Sequence, residues 1–147
     1  MDSVTLSLDA EEIAEDLLYR TGKPISCGDY HGIEECFILP QTVETLEGMR
    51  VLRGKADLWA IFETVRNYYR EHGVVNCART ILDAKFRTDR LIDSIHVTRL
   101  MRAGGELFRA PFPVYSTLRL DDDGKWRIKQ SNYAILDSRA HSKALLT

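Results

Sequence analysis

The spacing of apolar residues changes near residue 74, and this change constrains the fold more than any other feature of the sequence. Before it, apolar side chains recur every three or four positions, as in helices; after it they alternate, as in strands. Clusters of glycine, aspartate and proline divide the second half into segments near 75–87, 91–103, 112–121 and 125–136. Helices followed by strands predict an α+β fold, a curved antiparallel sheet around N-terminal helices.

The first predicted helix begins directly after Asp9. Asp9 and Glu12 have the spacing of a capping box, in which each side chain accepts a hydrogen bond from the backbone N–H of the other residue. Apolar residues follow at helical spacing, and Gly22 together with Pro24 predicts the end of this helix.

Two further helices are predicted before residue 74. The weaker one is short, with Asp29 as its N-cap and Pro40 at its end. The stronger one covers 55–72 and carries one continuous apolar stripe. Two short strands, near 41–46 and 49–53, are predicted between these helices.

Size and composition predict one folded domain that covers 1–147. The 147 residues include 44% hydrophobic and 29% charged residues, which is ordinary usage for a globular domain. A disordered chain or a disulfide scaffold therefore has no support in the composition. No repeat, low-complexity tract or linker indicates a second domain.

Charge and hydropathy argue against two classes of partner. Twenty basic and 22 acidic residues give a net charge of -2 without a basic stripe, so we expect no nucleic-acid binding. The longest uncharged stretch, Ala110–Leu118, is much shorter than the roughly 18 apolar residues of a membrane span, so we expect no membrane insertion. No secretory signal pattern follows Met1, and we therefore expect a cytoplasmic protein.

The order of several short motifs carries a family resemblance from about residue 9 to residue 137. These motifs are Gly28-Asp29-Tyr30, Phe37, Thr42-Val43-Glu44, Gly54, the strand Ser94–Val97 and Gly124–Ile128. In this order and spacing they resemble the SnoaL-like branch of the nuclear transport factor 2-like superfamily, which has the cystatin-like α+β fold. The resemblance implies a cone, in which the curved sheet and the helices enclose a cavity at the wide end.

The same resemblance covers proteins of several functions. Steroid isomerases, polyketide cyclases, dehydratases, small subunits of ring-hydroxylating dioxygenases and purely binding or dimerising proteins belong to the superfamily. At the positions that match the isomerases' catalytic residues this chain has Thr21, with Tyr19 two positions earlier, then Thr45, and a residue near Pro113. None of these supplies the isomerase chemistry, so the resemblance implies no known reaction for this chain.

His96 and Tyr115 are the candidate catalytic residues. His96 lies in the middle of a predicted strand, where it shares a face with Ser94 and Thr98, and an imidazole is the usual general acid or base near neutral pH. Tyr115 on the next strand is placed to donate a hydrogen bond into the same cavity. The alternatives are a satisfied, partly buried histidine and a tyrosine of the core or of an interface.

Five further residues are candidates for ligand binding. Threonine hydroxyls give polar contacts, aromatic rings stack on a ligand ring, and an arginine holds a carboxylate or an enolate. We expect Arg79, by contrast, on the solvated outer face of the sheet or in an ion pair between subunits. The candidates are Tyr19, Thr21, Thr45, Trp59 and Arg99.

Three hypotheses of function follow. The first is a homodimeric pocket protein that binds a small hydrophobic, ring-containing molecule. The second is a cofactor-independent isomerase, polyketide cyclase or dehydratase-like lyase with His96 as its acid and base. The third is the structural small subunit of a ring-hydroxylating dioxygenase, suggested by Gly124–Ile128 and by Ile135-Leu136-Asp137. No motif indicates a metal, a flavin or a nucleotide, so we expect no cofactor.

Overall fold

A computed structural model describes residues 9–135 and 139–146, and it has the predicted α+β architecture. Helices lie on one face of a six-stranded curved sheet. In chain order the elements are α1 (Ala10–Cys27), a turn of 3-10 helix (Ile33–Cys36), β1 (Phe37–Thr45), β2 (Gly48–Leu52), α2 (Lys55–Glu71), β3 (Val74–Thr88), β4 (Leu91–Arg102), β5 (Phe112–Leu120), β6 (Trp126–Tyr133) and α3 (Arg139–Leu146).

The second half of the chain forms the predicted meander. The strands β3, β4, β5 and β6 pair antiparallel in sequence order; short turns join β3 to β4 and β5 to β6, and a longer loop, 103–111, joins β4 to β5. In the turn between β5 and β6, Gly124 has a φ of 82°, a left-handed conformation that glycine adopts without a steric penalty. The four strands and their boundaries are therefore confirmed to within a few residues.

The sheet is mixed, however, and not antiparallel throughout. Its strand order is β2-β1-β6-β5-β4-β3, and β1 pairs with β6 in parallel. Many residues separate these two strands in the chain, so no hairpin sets their relative direction. The side chain of Gln41 on β1 is buried and donates a hydrogen bond of 2.9 Å to the carbonyl of Ile128 on β6, which ties the two strands together.

The helix α1 begins as predicted but ends later. Glu12 donates its backbone N–H to Asp9 Oδ1 at 2.8 Å, and Asp9 donates its own to Glu12 Oε1 at 3.3 Å. The prediction of an end at Gly22 is wrong, because the helix continues through the buried Pro24 to Cys27. The left-handed Gly28, with a φ of 69°, ends it and donates its N–H to the carbonyl of Pro24 at 3.1 Å.

The short second helix predicted between Asp29 and Pro40 is wrong. Gly32 has a φ of 73°, which interrupts any regular helix, and a single 3-10 turn follows it. Pro40 lies within the strand β1, and the side chain of Asp29 caps no helix but accepts the backbone N–H of His31 at 3.0 Å. The other elements of this region are confirmed, namely both short strands and the helix α2.

Two adjoining apolar clusters form the core. The larger one packs α2 and Leu145 of α3 against the inner face of β4 and β5, with Val114 fully buried in it. The smaller one packs α1 against Ile92, Leu118 and their neighbours. The ring of Phe37 contacts both clusters. Within the described residues, no helix is both long and apolar enough to cross a membrane.

The left-handed end of α1 gives a direct stability prediction. We expect Gly28→Ala to lower the free energy of unfolding by about 1–2 kcal/mol, because an L-residue at this φ brings its Cβ against the following carbonyl oxygen. Urea denaturation measures the loss. Gly54→Ala is the control, since Gly54 is extended, with a φ of -159°, and a Cβ there meets no atom within 4 Å. Equal losses in the two variants would contradict this account.

Candidate functional site

A cavity of about 80 Å³ lies between α2, α1 and the inner face of the sheet. Aliphatic and aromatic side chains form most of its wall, including Leu58, Ile61, Phe62 and Val65 of α2. The polar side chains in the wall come from the strands and from the last turn of α2. They are Gln41, Tyr69, Arg79, His96, Thr98, Ser131 and Tyr133.

A second space of about 50 Å³ adjoins this cavity on the side of α1. Leu17, Thr21 and Ser94 contribute to its wall. Six residues line both spaces, so the two form one interior with a common partition. These residues are Phe37, Phe62, Arg79, His96, Ser131 and Tyr133.

His96 lies where the sequence analysis placed it, on the inner face of β4 together with Ser94 and Thr98. All three side chains are buried, and His96 is only 5% exposed. Burial first, and then the positive charge of Arg79, lower the pKa of His96 to about 3. The imidazole is therefore neutral at physiological pH, and it can donate or accept a hydrogen bond there without carrying charge.

Arg79 lies in the partition, so its expected place on the outer face of the sheet is wrong. On β3 it pairs with Thr98, whose side chain also faces inward. Its Nη2 atom donates to the carbonyl of Leu18 at 2.6 Å and to the hydroxyl of Thr21 at 3.0 Å. Gly22 makes room for this contact, because a Cβ at that position would lie 3.2 Å from Nη2.

Two tyrosines of the wall were not identified from the sequence. Burial raises the pKa of Tyr133, and it raises that of Tyr69 well above the usual value, so both phenols keep their protons. The hydroxyl of Tyr69 lies 2.8 Å from Nε2 of the fully buried His141 on α3. Ser131 shares a hydrogen bond of 3.2 Å with Ser116. The apolar stripe of α2 could have indicated Tyr69, and the inward face of β6 could have indicated Ser131 and Tyr133.

Tyr115 and Arg99 lie on the opposite face of the sheet from His96. Tyr115 pairs with Ile95 and is 47% exposed, whereas Val114 beside it pairs with His96 and points inward. Arg99 is exposed as well. The prediction that Tyr115 reaches the same cavity as His96 is wrong, because successive side chains of a strand point to opposite faces.

The other ligand-binding candidates are divided between the interior and the surface. Thr21 is buried beside Arg79, and its hydroxyl also donates to the carbonyl of Leu17 at 2.8 Å. Tyr19 is 70% exposed on the outer side of α1. Trp59 is 38% exposed and stacks on Tyr30, and Thr45 accepts a backbone N–H in the turn after β1. Of these four residues only Thr21 borders the interior.

The interior thus combines one fixed cation with neutral hydrogen-bonding groups. Arg79 is its charged residue, and His96, Ser131 and Tyr133 lie in the same partition. Among the residues that the structure describes, no three histidine, cysteine, aspartate or glutamate side chains come close enough to hold a metal ion. The chemistry available to these residues is hydrogen bonding and the neutralisation of a negative charge.

Comparison with known proteins identifies the fold. No protein-family model matches the sequence, and no curated protein matches it. Among solved structures, an NTF2-like protein with a cystatin-like fold from Novosphingobium aromaticivorans is similar over 94% of this chain and 89% of its own, at 20% identity and a TM-score of 0.66. A domain of unknown function with a cystatin-like fold from Nostoc punctiforme is similar over 90% and 82%, at 17% identity and a TM-score of 0.68.

A third similar structure is a ketosteroid isomerase-like protein from Erwinia carotovora atroseptica. The similarity covers 90% of this chain and all of the other, at 13% identity and a TM-score of 0.60. The chain therefore has the cystatin-like fold of the nuclear transport factor 2-like proteins. At these identities the likeness shows the fold alone. Membership of the SnoaL-like branch stays a prediction.

The neutral, buried state of His96 predicts how stability depends on pH. In the unfolded chain a histidine takes up a proton below a pH of about 6.5, whereas in the folded chain His96 takes it up only near pH 3. The stability linked to His96 is therefore present above a pH of about 6.5 and is lost as the pH falls towards 3.

We expect His96→Gln to flatten this dependence by up to about 1.4 kcal/mol per pH unit below pH 6. Urea denaturation of both proteins over a series of pH values measures the difference between the two slopes. His31→Gln, which removes an exposed histidine, is the matched control. Identical slopes for His96→Gln and the wild-type protein would show that His96 is not held neutral.

Proposed function

We propose that this protein binds a small, ring-containing molecule in the cavity between α2 and the sheet. The observation that carries the proposal is the separation of apolar and polar side chains in the cavity wall. Most of the wall is aliphatic or aromatic, and the polar groups Arg79, His96, Ser131 and Tyr133 are gathered in one partition. Ligand pockets have this composition, since apolar surface supplies affinity and a few polar groups fix orientation.

The size of the interior limits the ligand to about one ring. An apolar cavity of about 150 Å³ holds one benzene molecule. The cavity here has about 80 Å³ and the adjoining space about 50 Å³. The rings of Phe37 and Phe62, edge to face with centroids 6.0 Å apart, line both spaces. The proposal therefore requires a shift of these two rings that joins the spaces and admits a single ring.

A thermal-shift screen with small aromatic and alicyclic compounds tests the proposal. A ligand at about 100 times its Kd adds about 2.7 kcal/mol, which raises Tm by several degrees in a domain of this size. We expect Thr98→Leu to abolish this shift, because Thr98 is buried in the cavity wall and a leucine fills the space.

Arg99→Leu is the matched control for Thr98→Leu. It introduces the same side chain one position further along β4, on the exposed outer face, and we expect it to keep the thermal shift of the wild-type protein. The proposal fails if no compound raises the Tm of the wild-type protein. It fails equally if Thr98→Leu responds to the compounds as strongly as Arg99→Leu does.

A second candidate function is a cofactor-independent enzyme of the isomerase, cyclase or lyase type. The neutral His96 beside Arg79 favours it, because a neutral imidazole that donates a hydrogen bond and a nearby cation both stabilise an oxyanion. We expect His96→Gln to keep ligand binding and to lose conversion of the bound compound, followed by mass spectrometry. Unchanged conversion in this variant would exclude a role for His96 in chemistry.

Two proposals concern partners. A homodimer through the outer face of the sheet is supported by Tyr115, which is 47% exposed there beside Ile95. The role of a dioxygenase small subunit is supported only by the hairpin of Gly124, since Leu136 and Asp137 lie outside the described residues.

The absence of a nucleic-acid partner, of a membrane partner and of a cofactor, and the cytoplasmic location, stay predictions.

A further inference from the structure

The interior holds a single kind of charge. Among the described residues that line the cavity and the adjoining space, Arg79 is the one charged side chain. No acidic group in the described part of the chain lies within ion-pair distance of its guanidinium, although many other arginines of this protein have such a partner. Arg79 is half-buried and also borders an open groove between α1 and β3, and a cation without a counter-ion is costly on the side that faces the apolar interior.

The contacts of Arg79 leave part of its guanidinium for a ligand. Both of its hydrogen bonds, to the carbonyl of Leu18 and to the hydroxyl of Thr21, are made by Nη2. These two bonds hold the planar group against α1. The hydrogens on Nη1 and Nε are not used by either contact, and a guanidinium presents its donors in a fixed fork that matches a carboxylate.

The neighbouring groups leave this positive charge uncompensated. Burial and the Arg79 charge keep His96 neutral, and burial keeps the phenol of Tyr133 protonated. Neither group offsets the guanidinium, and both can donate a hydrogen bond to an anion beside it. A cationic ligand would be repelled, and a neutral ligand would leave the guanidinium without a counter-charge.

From these contacts we infer that the cavity selects a one-ring molecule that carries a single carboxylate, with Arg79 as the anchor of the carboxylate and Phe37 and Phe62 against the ring. The inference rests on the proposed function and adds the chemical class of the ligand. In the alternative, Arg79 is purely structural and only ties α1 to β3 through Leu18 and Thr21.

Matched pairs of acids and amides separate the two roles. Benzoate and benzamide, phenylacetate and phenylacetamide, and cyclohexanecarboxylate and cyclohexanecarboxamide have nearly the same shape within each pair and differ in charge. Titration calorimetry of the wild-type protein is expected to give at least about tenfold tighter binding of the acid in at least one pair. This comparison needs no variant, so it does not depend on whether a substituted protein folds.

Three variants assign the preference to Arg79. We expect Arg79→Gln to weaken binding of the acid about tenfold and to change binding of the amide by less than about threefold. Arg79→Lys keeps the charge, and we expect it to keep part of the preference. Arg20→Gln makes the same substitution at an exposed arginine of α1, outside both spaces, and we expect it to keep the preference in full. Urea denaturation of each variant measures the structural contribution separately.

The outcomes distinguish this inference from the proposed function. If the amides bind as tightly as the acids, the inference is wrong and the proposed function stands. If Arg79→Gln weakens acid and amide equally, or keeps the full preference for the acid, Arg79 is not the anchor. If no acid and no amide binds to the wild-type protein, the proposed function and the inference both fail.

Discussion

The burial of one face of the sheet by α1 and α2 is the constraint on which the rest of this structure depends. Each helix covers its own part of the inner face, so the core consists of two clusters. Where the clusters meet, two helices and a curved sheet cannot fill all the space between them. The cavity and the adjoining space lie at this junction, and Phe37 contacts both clusters there.

The polar residues at this junction distinguish the interior from an ordinary core. Polar groups in a dry interior are tolerated only when they find hydrogen-bond partners, and a buried charge also needs compensation. Arg79 has two hydrogen bonds to α1, and Ser131 has one to Ser116. Gly22 lets the guanidinium approach the helix backbone, although glycine weakens a helix interior. The hydrogen bonds of these groups are thus made within the protein, whereas the positive charge of Arg79 has no acidic partner among the described residues, and the proposed carboxylate ligand rests on this difference.

Elements with strong local signals were predictable from the sequence. The helix α2 has one apolar stripe between Gly54 and Gly73, and the strands β3 to β6 are separated by turn residues. The end of α1 was not predictable, because the buried packing of Pro24 and the left-handed Gly28 override the usual stop signals. His96 was identified as a candidate because it stands alone among apolar neighbours. Arg79 was misplaced, because arginine on a strand is usually solvated.

The sequence by itself determined the α+β class, the antiparallel meander and the common face of Ser94, His96 and Thr98, since periodicity and turn chemistry act over short distances. Only the tertiary structure decided that β1 runs parallel to β6, that Arg79 faces the cavity and that Tyr115 faces away from it. Irregularities in the register of β3 interrupt its alternation, so its pattern alone does not assign the two faces. The buried face of a strand is the face that the helices cover. Which face they cover depends on contacts between residues distant in the sequence.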